Sequence, residues 1–195
     1  NFIDGANSLV VGYYILVNIA IILITKENNL IIDEKLANYF LVILLTLYLF
    51  NFFGKSFLGD SGAYLIGFIS GIFLITFVNQ NEYVSPYFIV LLLWYPVFEN
   101  LFSIIRKKNI NFSPLKPDPK HLHHLIYIFF KKKVKLKKIS SNSFSGIIIT
   151  FYNLIIFFIA TKYYNHSQIL IILIIFNIFN YCFLYIKLLD LVKRS

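Results

Sequence analysis

The 195-residue chain has no methionine, a single cysteine, one tryptophan and only five prolines. Its lone thiol, Cys182, falls inside an apolar run, so no intrachain disulfide can form and redox compartment is not encoded. A natural product starts with methionine, whereas this chain opens on Asn1 inside a motif. The expectation is the C-terminal part of a longer protein, with further spans upstream. Charge is scarce as well: Asp, Glu, Lys and Arg make up 14% of residues, against about a quarter in an average soluble domain. That excludes an ordinary soluble enzyme. No cysteine or carboxylate stands at zinc-ligand spacing from His121, His123 and His124, which excludes a four-ligand structural zinc site. No aromatic-interleaved soluble module accompanies the basic residues, so nucleic acid is not an expected partner.

What is abundant is apolar sequence, 58% of the chain. A membrane-crossing helix needs roughly 20 mainly apolar residues, and six candidate runs occur, at about 9–25, 36–53, 62–78, 86–105, 144–162 and 168–189. The predicted fold is therefore all-α, a polytopic membrane bundle forming one domain over residues 1–195, with membrane lipids as its surroundings. Of the 18 lysines and arginines, all but Lys26, Lys35 and Lys162 fall on one face. By the positive-inside rule that face is cytoplasmic. The Lys131–Lys138 run reads as a topology determinant that grips anionic headgroups. The only long loop, about 106–143, lies on the same face. Its Pro114, Pro117 and Pro119 predict a stiff entry, and Leu122–Phe130 predicts an interfacial helix.

Three polar clusters share this face, because two spans separate each from the next. In the first, Asn1, Asp4 and Asn7 are three residues apart, so a helical segment would present them together to a sugar or a base edge; a simple capped helix start is the alternative. In the second, Phe57-Leu58-Gly59-Asp60-Ser61-Gly62 puts a carboxylate where a helix begins. Asp60 reads as an N-cap, as a Mg²⁺ ligand beside a phosphate-binding helix start, or as both. In the third, His121, His123 and His124 with Lys120 and Arg106 suit a diphosphate, and an ordinary surface loop is the alternative. Glu99 is an intramembrane acid, read as structural support that shares a polar end with Arg106 without pairing to it. Gly67 and Gly71 read as helix packing.

In order, these clusters resemble motifs of the polyprenyl-phosphate N-acetylhexosamine-1-phosphate transferases. Asn1-Phe2-Ile3-Asp4-Gly5-Ala6-Asn7-Ser8-Leu9 is similar to that family's N-x-x-D-G-x-[DN]-G-L segment. Phe57-Leu58-Gly59-Asp60-Ser61-Gly62 is similar to F-[ML]-G-D-x-G. Ser113 to His124 is similar to S-P-x-x-P-D-x-x-H-x-H-H. The resemblance implies transfer of a sugar-1-phosphate from a UDP-N-acetylhexosamine, UDP-GlcNAc-like, to polyprenyl phosphate, with release of UMP and a Mg²⁺ or Mn²⁺ cofactor. It makes Asp60 the metal ligand and Phe57 the ring that stacks on uracil. It puts Asn1, Asp4, Asn7 and Asn51 near the nucleotide, and His121, His123 and His124 over the diphosphate with Arg106 and Lys120. The inner membrane of a bacterium, polysaccharide or cell-wall glycan initiation and a homodimer are further implications.

Leu122 interrupts the histidine run, which disfavours the muramoyl-pentapeptide branch with its three contiguous histidines. Ser8 replaces an expected glycine, and Pro119 stands where this branch often has arginine. The family's acidic pair would lie upstream of Asn1, so the residues given are expected to be inactive alone. A transporter would need several ionisable residues at mid-bilayer, and essentially one, Glu99, is present; an inactive remnant is the third reading.

Overall fold

The computed structural model describes residues 3–109, 120–135 and 138–193. Helices run in the order α1 (Leu9–Asn28), α2 (Glu34–Phe52), α3 (Gly59–Gln80), α4 (Pro86–Leu92), α5 (Trp94–Asn109), α6 (Leu122–Phe129), α7 (Lys138–Lys162) and α8 (Ser167–Lys193). A π-helical turn, Phe130–Val134, follows α6. Among the described residues five helices are long and apolar enough to cross a membrane, and six if the bent pair α4 and α5 counts as one span. The chain is an all-α, multi-pass membrane protein.

α1 is the hub. It packs against α7, α2 and α3, and buries Leu9, Tyr13, Ile21 and Ile24 completely or nearly so. The outer faces of α2, α3 and α8 instead expose large apolar side chains such as Tyr39, Phe68, Ile75 and Phe179. A lipid-facing surface has no reason to hide them. Close helix approach is set by small residues: a Cβ on Gly146 of α7 would stand 2.4 Å from the Asn7 carbonyl oxygen.

The fourth span is not the straight helix that 86–105 predicts. α4 and α5 meet at 66°. Pro96 lacks the N–H that would bond the Leu92 carbonyl four residues back, and its ring crowds that turn. The orphaned Leu92 oxygen accepts from the Tyr13 hydroxyl at 2.9 Å. On α5's first residue, Trp94 Nε1 donates to Asn153 Oδ1 of α7 at 2.8 Å. The bend is therefore held by side chains of two other helices.

Leu122–Phe130 also differs from expectation. α6 is docked into the bundle against α7 and α8, with Leu122, Leu125 and Ile126 buried, because three apolar residues on one face find protein rather than headgroups. Polar clasps fix the two ends of the bundle. At one, Asn81 Oδ1 accepts from Ile31 N–H at 2.7 Å and Nδ2 donates back to the Ile31 oxygen at 2.9 Å, while the Ser85 and Ser167 hydroxyls bond at 2.8 Å. At the other, Ser143 donates to the Phe52 oxygen at 2.8 Å and Arg106 reaches Tyr185. The second end carries all three polar clusters.

Candidate active site at the motif end

Asn51, the last buried residue of α2, organises the first two clusters. Its Oδ1 accepts from Ser8 N–H at 2.5 Å and its Nδ2 donates to the Ser56 oxygen at 2.8 Å. The resemblance puts Asn51 at the nucleotide; both ends of its amide are instead committed to backbone. It braces the Asp4 segment against the loop that leads to Asp60. That loop turns at Gly54 and Gly59, with φ of 66° and 64°, a region where glycine lacks the Cβ penalty. Phe57 is 82% exposed on it.

Asp60 is not the N-cap of α3. Leu58 occupies that position and makes no side-chain cap, while Asp60 lies in the first helical turn. Its exposed carboxylate makes no hydrogen bond among the described residues, so it remains available to a ligand at a helix start. Asp4, half-buried in the turn before α1, feels it: burial, with the Asp60 charge adding, pushes the Asp4 carboxyl up to about 6. Two carboxylates beside a helix N-terminus form a donor set suited to Mg²⁺, which takes one or two carboxylates plus phosphate oxygens. Asn7 is half-exposed on the same segment. Asn1 lies outside the described residues, as do Ser113–Pro119.

His123 closes the group from above. Its ring sits on Gly5, where an added Cβ would fall 2.1 Å from Nε2. The side chain is 4% exposed and its Nδ1 has no hydrogen-bond partner. Burial drives its pKa down to about 4, so His123 is a neutral imidazole rather than a cation. His121 stacks on it, with ring centroids 5.5 Å apart and planes within 5°. His124 is tilted against Tyr127.

Glu99 anchors this loop, a role that local sequence pattern does not reveal. The residue is fully buried. It accepts from His121 Nδ1 at 2.8 Å, Leu122 N–H at 3.2 Å and the Tyr181 hydroxyl at 2.7 Å. A buried carboxylate needs such partners, and these three account for the intramembrane acid that a transporter reading relied on. Arg106 donates to the Lys120 oxygen and the Tyr185 hydroxyl, each at 2.8 Å. Arg106 thus grips the loop's entry at the same end as the histidines. Lys120 is exposed beside it. The signals that could have pointed to these roles are the Asp4-Gly5 pair, whose glycine leaves room for a ring, and the placement of Glu99 at the motif end of its span.

A model of the family described as "Glycosyl transferase family 4" matches residues 1–78. Over that stretch its sequence is similar to glycosyl transferase family 4. Among curated relatives, an undecaprenyl-phosphate alpha-N-acetylglucosaminyl 1-phosphate transferase of Thermotoga maritima is 28% identical over 69% of this chain and 39% of its own length. A probable undecaprenyl-phosphate N-acetylglucosaminyl 1-phosphate transferase of Bacillus subtilis is 32% identical over 66% of this chain and 37% of its own. A decaprenyl-phosphate N-acetylglucosaminephosphotransferase of Mycolicibacterium smegmatis is 37% identical over 36% and 20% respectively. The chain thus spans less than two-fifths of the length of each of these relatives. No solved structure matches. The matched residues include the Asp4 and Asp60 clusters, and the site's third element, α6, lies beyond them.

Proposed function

We propose that the protein transfers N-acetylglucosamine-1-phosphate, or a closely related N-acetylhexosamine-1-phosphate, from its UDP-sugar to a polyprenyl phosphate and releases UMP. The observation that carries this reading is the seating of His123 on Gly5, with Asn51 bonded both to Ser8 N–H and to the Ser56 oxygen. Segments around residues 4, 60 and 123 so share one end of the bundle. The names of the relatives supply the substrate class.

Asp60, with Asp4, would hold Mg²⁺. The metal, when bound, neutralises pyrophosphate oxygens and acts as a Lewis acid on the transferring phosphoryl group. Phe57 presents an exposed ring for the uracil face, and Asn7 with Lys120 offers polar contacts to the nucleotide and diphosphate. Neutral His123 walls off the phosphoryl group and orients it, rather than pairing with it as a cation. Glu99 holds His121 at Nδ1 and so fixes the orientation of its ring. The acceptor phosphate arrives in the plane of the membrane, tethered by its own lipid, which lowers the entropy lost on encounter. The lysine-rich end is assigned to the cytoplasm, where nucleotide sugars are made.

The test is the full natural chain in membranes, given undecaprenyl phosphate, Mg²⁺ and a panel of UDP-sugars. UMP release is expected with UDP-N-acetylglucosamine or a close epimer and its loss with EDTA. UMP release only with the muramoyl-pentapeptide nucleotide, or with no sugar nucleotide, would overturn the proposal.

A further inference from the structure

α7 and α8 are joined chiefly through α4 and α6, which each pack against both. A polar clamp links them part-way along: Tyr152 donates to Asn177 Oδ1 at 2.5 Å and accepts from Asn180 Nδ2 at 3.3 Å. Below the clamp lies a cavity of about 360 Å³, with Ile148 and Tyr152 on one wall, Leu184 and Lys187 on the other, and Ile126 and Phe129 of α6 at its end. That volume falls within the range of about 300–1,000 Å³ for small-molecule sites. Its walls are almost wholly apolar.

One lining residue is charged. Lys187 sits at the rim, exposed, its stem along the apolar wall and its ammonium free to reach headgroup level. Asp190, one turn on, does not line the cavity. From α6 the chain passes through Phe129 and Phe130, both lining, straight into Lys131, Lys132 and Lys133, all exposed on the π-helical turn. An apolar slot between two spanning helices with cations gathered at its mouth is complementary to a lipid that carries a hydrocarbon tail and an anionic head. Basic pockets between transmembrane helices bind such head groups.

The geometry points to a bound anionic phospholipid, with one acyl chain in the cleft between α7 and α8 and its phosphodiester at Lys187 and the Lys131–Lys133 turn. None of Asp4, Asp60, His121, His123 or His124 lines the cleft. It is therefore a site beside the one proposed for catalysis, and only the exclusion of the acceptor lipid from it rests on that reading. The occupant is a phospholipid of the surrounding leaflet rather than the polyprenyl acceptor, whose phosphate has to meet Asp60 and not Lys187. Because Ile126 and Phe129 form its end wall, the lipid packs directly against the helix that carries His123.

The test uses the full natural chain in nanodiscs of equimolar phosphatidylglycerol and phosphatidylethanolamine, followed by mass spectrometry of the lipid that survives delipidation. Wild type is expected to retain phosphatidylglycerol several-fold over phosphatidylethanolamine. K187E, a change at an exposed position, should abolish that preference, K187R should keep it, and L184W, which fills the slot, should retain neither lipid. Equal retention of the two lipids by wild type, a preference unchanged in both K187E and L184W, or recovery of polyprenyl phosphate in place of phospholipid would each overturn the proposal. So would a slot closed by another segment of the natural chain, seen as failure of a photoreactive fatty acyl chain to label Leu184 or Ile148. Thermal melting of each variant separates lost binding from lost fold.

Discussion

Ser8 holds a left-handed backbone, φ 69°, with its hydroxyl buried and unbonded. For a residue with a Cβ that conformation costs roughly 1–2 kcal/mol. The position is the one where the family pattern has glycine, and the geometry gives the reason. Ser8→Gly should raise unfolding stability by about 1 kcal/mol, read as a higher midpoint in a denaturant titration; an unchanged or lower midpoint would remove the strain. Asp4 makes a second residue-scale prediction. Its folded pKa of about 6 lies above the ordinary 3.8, so between those values the folded state binds the proton more tightly. Ionising Asp4 therefore costs stability as pH rises toward 6 and above. Without metal, Asp4→Asn should flatten that pH dependence and stabilise the protein at neutral pH. With metal, Mg²⁺ affinity in the wild type should fall as pH drops through about 6, because the protonated acid is no longer an anionic ligand. Calorimetric titration of Mg²⁺ at pH 5 and pH 7.5 checks the sign.

At the scale of elements, the site is a contact between α6 and the turn preceding α1. Gly5→Ala would drive a Cβ into His123 Nε2, and since misplacement by about 1 Å can cost ~10²-fold in rate, a loss of that order in kcat is expected with the fold retained. A fully active variant would mean that the imidazole need not rest there. Glu99→Gln keeps shape and removes the charge behind three hydrogen bonds. A destabilisation of about 2 kcal/mol should accompany loosening of α6, visible as faster amide exchange at Leu122–Leu125. The spans were legible because an apolar run of helical length has no other stable solution in lipid. The bend between α4 and α5 was less so: Pro96 is visible, yet its meaning depends on Tyr13 arriving to satisfy the Leu92 oxygen. The partnership of Glu99 with His121, 22 residues apart across a loop, and that of Asn51 with Ser8, 43 apart, have no local signature. Asp60 was legible as a candidate, and its place as a first-turn carboxylate rather than the N-cap was not.

For the molecule as a whole, one hub helix, α1, ties the motif end to the rest of the bundle. The alternation of spans brings the starts of α1, α3 and α7 and the ends of α2, α5 and α8 together. The clasps Ser143–Phe52 and Arg106–Tyr185 confirm that grouping, as Asn81–Ile31 does for the opposite end. Positive charge follows the same division, since among the described lysines and arginines only Lys26, Lys35 and Lys162 lie at the other end. If Asp60 is the metal ligand of this site, it does its work from an exposed position without supporting the fold. The deciding measurement is Mg²⁺-dependent UMP release by the full natural chain carrying Asp60→Asn, in membranes supplied with polyprenyl phosphate and UDP-N-acetylglucosamine. The account predicts a fall of about 10²–10³-fold with unchanged thermal stability; turnover equal to wild type would contradict it.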